Sequence, residues 1–110
     1  MPKDDYFVIA YQVLSYLYGC LKKSKFPADA VLSAEYFSID GPYWDYIIQN
    51  LYQDGYITGV SVTQPLAKIN PTVKIRSNIR ITPKGIQYLE ENSMLQKAKN
   101  VIKDIAAMIP

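Results

Sequence analysis

Ile79-Arg80-Ile81-Thr82-Pro83-Lys84-Gly85-Ile86-Gln87-Tyr88-Leu89-Glu90-Glu91-Asn92 reads as a strand running into a capped helix. Ile79 and Ile81 alternate with Arg80, as a half-buried strand requires. Thr82 suits an N-cap and Pro83 the first helical position, where its missing N–H costs nothing. Gly85 lets the new helix approach the sheet closely, since it carries no Cβ. Upstream, Leu51-Tyr52-Gln53-Asp54-Gly55-Tyr56-Ile57 looks like a helix closed by a glycine at C′ and followed by a strand. Helix, strand, polar loop, strand and Thr-Pro-capped helix, in that order, form the ending of a winged helix-turn-helix.

The earlier segments fit the same plan. A first helix is predicted from about Asp4 to Lys23, acidic at its start and with Lys22 and Lys23 at its end, as the macrodipole favours. Ala10, Val13, Leu14, Leu17 and Leu21 form one apolar stripe; Ile9, Tyr16 and Cys20 form a second. A helix apolar on two sides is covered on two sides. Ser24 to Pro27 is a connector, and Ala28 to Phe37 reads as a short second helix offering Ala30, Val31 and Ala34 to the core. Asp40-Gly41-Pro42 opens the third helix, whose buried stripe is Trp44, Ile47, Ile48 and Leu51. Its other face, with Tyr43, Asp45, Tyr46, Gln49, Asn50 and Gln53, is the recognition face of a helix-turn-helix protein.

Ile57 to Thr63 is predicted as a strand, Gln64 to Thr72 as the loop at the wing tip, and Val73 to Arg76 and Ile79 to Ile81 as returning strand. A last helix is predicted from Ser93 to about Ile109. Its stripe of Leu95, Ala98, Val101, Ile102, Ile105, Met108 and Ile109 is too broad to leave in water. It packs on the first helix, within one chain or across a homodimer. Ile9, Tyr16, Leu95, Ala98, Val101, Ile102, Ile105 and Met108 are therefore the candidate dimer contacts. The expected fold class is α+β, with 1–110 as a single domain: 110 residues suffice for one core, and no linker or repeat divides them.

Composition excludes much chemistry. There is no histidine and a single cysteine, Cys20, so Cys/His zinc sites, Ser-His and Cys-His dyads and an intrachain disulfide are ruled out. No metal spacing and no glycine-rich phosphate loop is present, and no cofactor is expected. Glu90 and Glu91, adjacent on a helix, point about 100° apart and form no catalytic pair. The chain is not expected to be an enzyme. The apolar run Tyr6 to Cys20, ending Leu17-Tyr18-Gly19-Cys20, loosely resembles a lipoprotein cleavage box. Asp4, Asp5 and the bulky Tyr18 speak against that, and the run is too short for a membrane span. A cytoplasmic protein is expected, without a membrane partner.

Charge is divided along the chain. Phe26 to Asp54 carries Asp29, Glu35, Asp40, Asp45 and Asp54 with no Lys or Arg; Gly55 to Lys84 carries Lys68, Lys74, Arg76, Arg80 and Lys84 with no acid. Phosphate contacts supply most non-specific DNA affinity, so the basic wing is the expected anchor on duplex DNA. Gln49 and Asn50 are suited to adenine edges, and Tyr43 and Tyr46 to phosphates or thymine methyls. The alternatives are ordinary exposed polar residues on the helix and solvated arginines that guard a strand edge.

With these segments placed, the chain resembles the YjcQ family of small bacterial and phage proteins. The resemblance is carried by Gly55-Tyr56-Ile57-Thr58-Gly59-Val60, Ile81-Thr82-Pro83-Lys84-Gly85, Tyr88-Leu89-Glu90-Glu91-Asn92, Lys97-Ala98 and Ile102-Lys103-Asp104-Ile105. It implies a winged-helix fold more firmly than a function, and the family is not tied to an enzymatic activity. Gln64 to Asn78 is longer than the family's usual wing. Two functions follow as expectations. One is a DNA-binding transcriptional regulator using the basic wing and the third helix. The other is a phage-derived winged-helix module that has lost DNA binding and meets a protein partner through its Tyr-rich, acidic face.

Overall fold

The computed structural model describes residues 3–63 and 72–92. Among these residues, four helices and two paired strands follow in the order α1 (Tyr6–Lys22), α2 (Ala34–Phe37), α3 (Gly41–Gln53), β1 (Ile57–Thr63), β2 (Thr72–Ile81) and α4 (Pro83–Glu91). Helices beside a two-stranded antiparallel sheet make an α+β arrangement, compatible with the winged-helix expectation.

The core is where the helical stripes meet the inward face of the hairpin. Val13, Leu14 and Leu17 of α1, Ile47, Ile48 and Leu51 of α3, and Ile57, Ile79 and Ile81 of the hairpin are all buried in one cluster. Burying each such side chain stabilises the fold by roughly 1.5–3 kcal/mol. Ile9 belongs to this same cluster and is fully buried, so the residue expected at a dimer seam is a core residue of its own chain.

Local chemistry sets the helix ends. Asp5 caps α1 by accepting from the Phe7 N–H at 3.1 Å. At the far end the Ser24 N–H donates to the Leu21 carbonyl and the Lys25 N–H to the Cys20 carbonyl, with Ser24 in the left-handed region. This is a Schellman closure. The exit of α3 repeats it: Gly55 donates to Tyr52 and Tyr56 to Leu51, and here the left-handed residue is the glycine anticipated from sequence.

The second helix is shorter than Ala28 to Phe37. Ser33 both caps it, accepting from the Tyr36 N–H, and donates its hydroxyl to the Ala30 carbonyl. A serine bonded this way competes with helical continuation, so residues 28–33 form turns and only Ala34–Phe37 is helical. Ala34 and Leu32 supply the buried side chains, while Ala30 is exposed. Phe37 stacks on Trp44 with ring centroids 5.4 Å apart, which ties this segment to α3.

Thr82 joins the two turns beneath the hairpin. Its hydroxyl donates to the Gly55 carbonyl at 2.6 Å and accepts from the Gly85 N–H at 3.1 Å, while its own N–H donates to the Tyr56 carbonyl at 3.0 Å. Gly85 lies so close to the Tyr56 carbonyl and the Ile81 side chain that a Cβ there meets both. The Thr-Pro-Lys-Gly run thus caps α4 and locks it to the end of α3.

The returning strand is continuous rather than two pieces. Thr58 pairs with Arg80 and Val60 with Ile75, so residues 76–79 stand opposite Gly59 alone. Gly59 has φ +83°, and a Cβ on it falls 2.5 Å from the Ile79 Cα. Only glycine fits this bulge.

Candidate nucleic-acid interface

Along β2 the odd positions Ile79 and Ile81 are buried and Val73 and Ile75 half-buried, while Lys74, Arg76 and Arg80 are exposed. Alternation exposes Lys74 and Arg76 on one side of the bulge and Arg80 on the other, so all three basic residues are open to solvent. The Arg76 Nε donates to the Ser61 hydroxyl at 2.7 Å, laying the side chain across to β1 while its Nη groups take no part in that bond. Lys84, in the first turn of α4, holds its Nζ 5.5 Å from the centre of the Tyr56 ring, a cation–π contact beside the α3 exit. Four of the five expected wing cations thus lie on or next to one hairpin. Lys68 falls outside the described residues.

On α3 the predicted division of faces holds, with Trp44, Ile47, Ile48 and Leu51 buried. The outward side is less available than the sequence implies. The Tyr43 hydroxyl donates to the Asp4 carbonyl at 2.7 Å, and the Asn50 amide donates to the Tyr46 carbonyl at 2.7 Å. Gln49 is half-buried, and Gln53 and Tyr46 are exposed. Burial raises the Asp45 carboxyl above its ordinary range. Burial also raises the Tyr43 hydroxyl, with Asp5 and Asp4 adding to the effect.

The Tyr-rich face expected from sequence extends beyond α3, because Tyr46 belongs to a cluster with tyrosines of other elements. Tyr6 packs edge-on against Tyr46 at 6.1 Å, and Tyr56 meets Tyr88 at 5.0 Å. The Tyr6 hydroxyl is pushed up to about 12, first by burial and then by the charges of Asp54, Tyr46, Tyr88 and Tyr56. Tyr88 is raised by burial and by Tyr56. These residues come from α1, α3, the α3–β1 turn and α4, so no spacing in sequence announces them; the count of ten tyrosines is the sole signal.

Of the candidate dimer contacts on α1, Tyr16 is half-buried, and its hydroxyl accepts from the Ala28 N–H at 2.8 Å. Leu95, Ala98, Val101, Ile102, Ile105 and Met108 fall outside the described residues. Glu91 accepts from the Gln87 amide at 2.9 Å, a bond within one helix face. Among the described residues no group of acids and cysteine is arranged to hold a metal, and no helix is long and apolar enough to cross a membrane.

A family model described as YjcQ protein matches residues 11–108, and the chain belongs to that family. No curated protein and no solved structure matches it significantly.

Proposed function

We propose that this YjcQ-family chain is a winged-helix protein that binds duplex DNA as a transcriptional regulator, with the hairpin as its wing and α3 as its recognition helix. The observation that carries this reading is the outward row of Lys74, Arg76 and Arg80 on β2, within a stretch from Gly55 to Lys84 that holds no acid. Such a row neutralises phosphates without regard to base sequence. Gln49 and Gln53 are the α3 residues left to read base edges, since Tyr43 and Asn50 spend a donor within the chain. The role is binding rather than catalysis, in the cytoplasm.

The test is the salt dependence of binding to random duplex DNA. Arg76→Ala with Arg80→Ala should weaken binding to every duplex and reduce the slope of log affinity against log salt by about 0.9 for each phosphate no longer neutralised. Absence of wild-type binding at low salt, or a full slope in the double variant, defeats the reading.

A second reading draws on α3. Its Asp45 and exposed Tyr46, on a helix with no Lys or Arg, suit a protein partner better than a phosphate backbone. Asp45→Lys should then abolish capture of that partner, while the Arg76/Arg80 variant leaves it intact. For the apolar stripe of Leu95 to Met108 we propose a second copy of the chain as partner. Sedimentation of a monomer at about 50 µM, a concentration that matches a useful dimer affinity, counts against it.

A further inference from the structure

A half-open cleft of about 300 Å³ lies between the C-terminal end of α1 and the bulged part of β2. We propose that it binds a small amphipathic anion, a carboxylate head on an apolar body. Leu17 and Ile79, almost fully buried, and Leu21 and Phe26, which are 39% and 86% exposed, line it together with Cys20 and Pro27. Two cations, Lys25 and Arg80, complete the charge pattern, and no Asp or Glu is among the lining residues.

Both cations stand on fixed backbone. Lys25 is the residue whose N–H closes the α1 Schellman motif on Cys20, and Arg80 is paired with Thr58 in the hairpin ladder. They line the cleft from different elements, one at the end of α1 and one on β2, so each offers a carboxylate a cation whose main chain is already held. Charge-assisted hydrogen bonds of this kind are the strong ones. Ser24, Ser77 and Asn78 also line the cleft and can bond the head, while Leu17, Leu21, Phe26 and Ile79 offer no hydrogen bond and favour a head that carries hydrocarbon. The volume is at the lower end of small-molecule sites, roughly 300–1,000 Å³, and so sets the ligand's size class.

The cleft also reaches the DNA-facing row, because Arg80 belongs to both. A bound carboxylate and a DNA phosphate then compete for the same guanidinium, and the coupling is reciprocal. That coupling rests on the DNA reading; occupancy of the cleft does not.

The experiment is a titration of the full chain, without DNA, by octanoate, 1-octanol and acetate, followed by the amide and methyl NMR signals. Octanoate should give saturable shifts centred on Leu17 and Ile79, and bind at least about tenfold more tightly than either the tail alone or the head alone. Arg80→Gln and Lys25→Gln, with otherwise native spectra, should each weaken octanoate by about tenfold, the ordinary cost of removing a charged hydrogen bond. No saturation by octanoate, equal affinity for 1-octanol, or unchanged affinity in both variants overturns the proposal. Octanoate binding with no DNA binding leaves the cleft standing and removes the DNA reading.

Discussion

The outward faces of β2 and α3 both carry polar side chains at regular spacing, but the fold uses them differently. On β2 the cations project from a strand whose other side is buried, and only Arg76 has a side-chain bond among the described residues, to Ser61. On α3, Tyr43 is bonded to the Asp4 carbonyl and Asn50 to the Tyr46 carbonyl, and Tyr46 packs on Tyr6. A helix face beside the start of α1 finds partners there and, for Asn50, on its own preceding turn. A strand face at the rim of a two-stranded sheet has few to find. Equal polarity in sequence therefore does not mean equal availability for a ligand.

The largest effect should come from breaking the platform of the basic face. Gly59→Ala places a methyl 2.5 Å from the Ile79 Cα on a residue with φ +83°. Strain and clash together should cost about 2–4 kcal/mol, lowering Tm by more than about 10 °C. A Tm within a few degrees of wild type means that the hairpin accommodates the methyl by shifting the bulge.

Next comes a matched charge change on the two faces. Arg80→Glu should weaken DNA binding by about 10- to 100-fold, as removal of a charged hydrogen bond implies. Gln53→Glu, exposed on α3, should change it by less than about threefold if the hairpin supplies most of the phosphate contacts. Equal losses place α3 as near the duplex as the hairpin.

How much of this is legible in the sequence follows from the range of the interactions. The Thr82-Pro83 start of α4 and the Gly55 exit of α3 are decided by neighbouring residues, and the structure places both where the sequence does. The Ser33 cap is just as local but lies inside an apolar-looking run, which masks it. The bulge opposite Gly59 depends on pairing across the hairpin, so the residues between Arg76 and Ile79 read as a break in a strand that is in fact continuous. The tyrosine cluster and the Lys25–Arg80 cleft join residues more than fifty positions apart, which periodicity along one element cannot reveal.

A smaller effect concerns the bond that draws α3 toward the start of α1. Tyr43→Phe removes the hydroxyl that donates to the Asp4 carbonyl and keeps the ring. The net loss should be about 0.5–1.5 kcal/mol, read as a fall in denaturation midpoint at unchanged slope. An unchanged midpoint means that the hydroxyl is available to solvent or to a partner, and the contrast with β2 then weakens.

The smallest effect is electrostatic and has a definite sign. Burial raises the Asp45 carboxyl above its ordinary value of 3.8, so the folded chain holds that proton to a higher pH than the unfolded chain does. Where the folded state binds more protons, stability falls as pH rises. The loss begins near the unfolded value, is complete above the raised folded value, and persists at neutral pH. Asp45→Asn keeps the shape and removes the ionisation, so it should raise Tm at neutral pH relative to wild type and lose that advantage as pH falls below 3.8. Thermal scans of both chains across this range provide the check. A difference in Tm that does not vary with pH would show that the carboxylate is well solvated, and that α3 can present Asp45 to a partner at no cost to the fold.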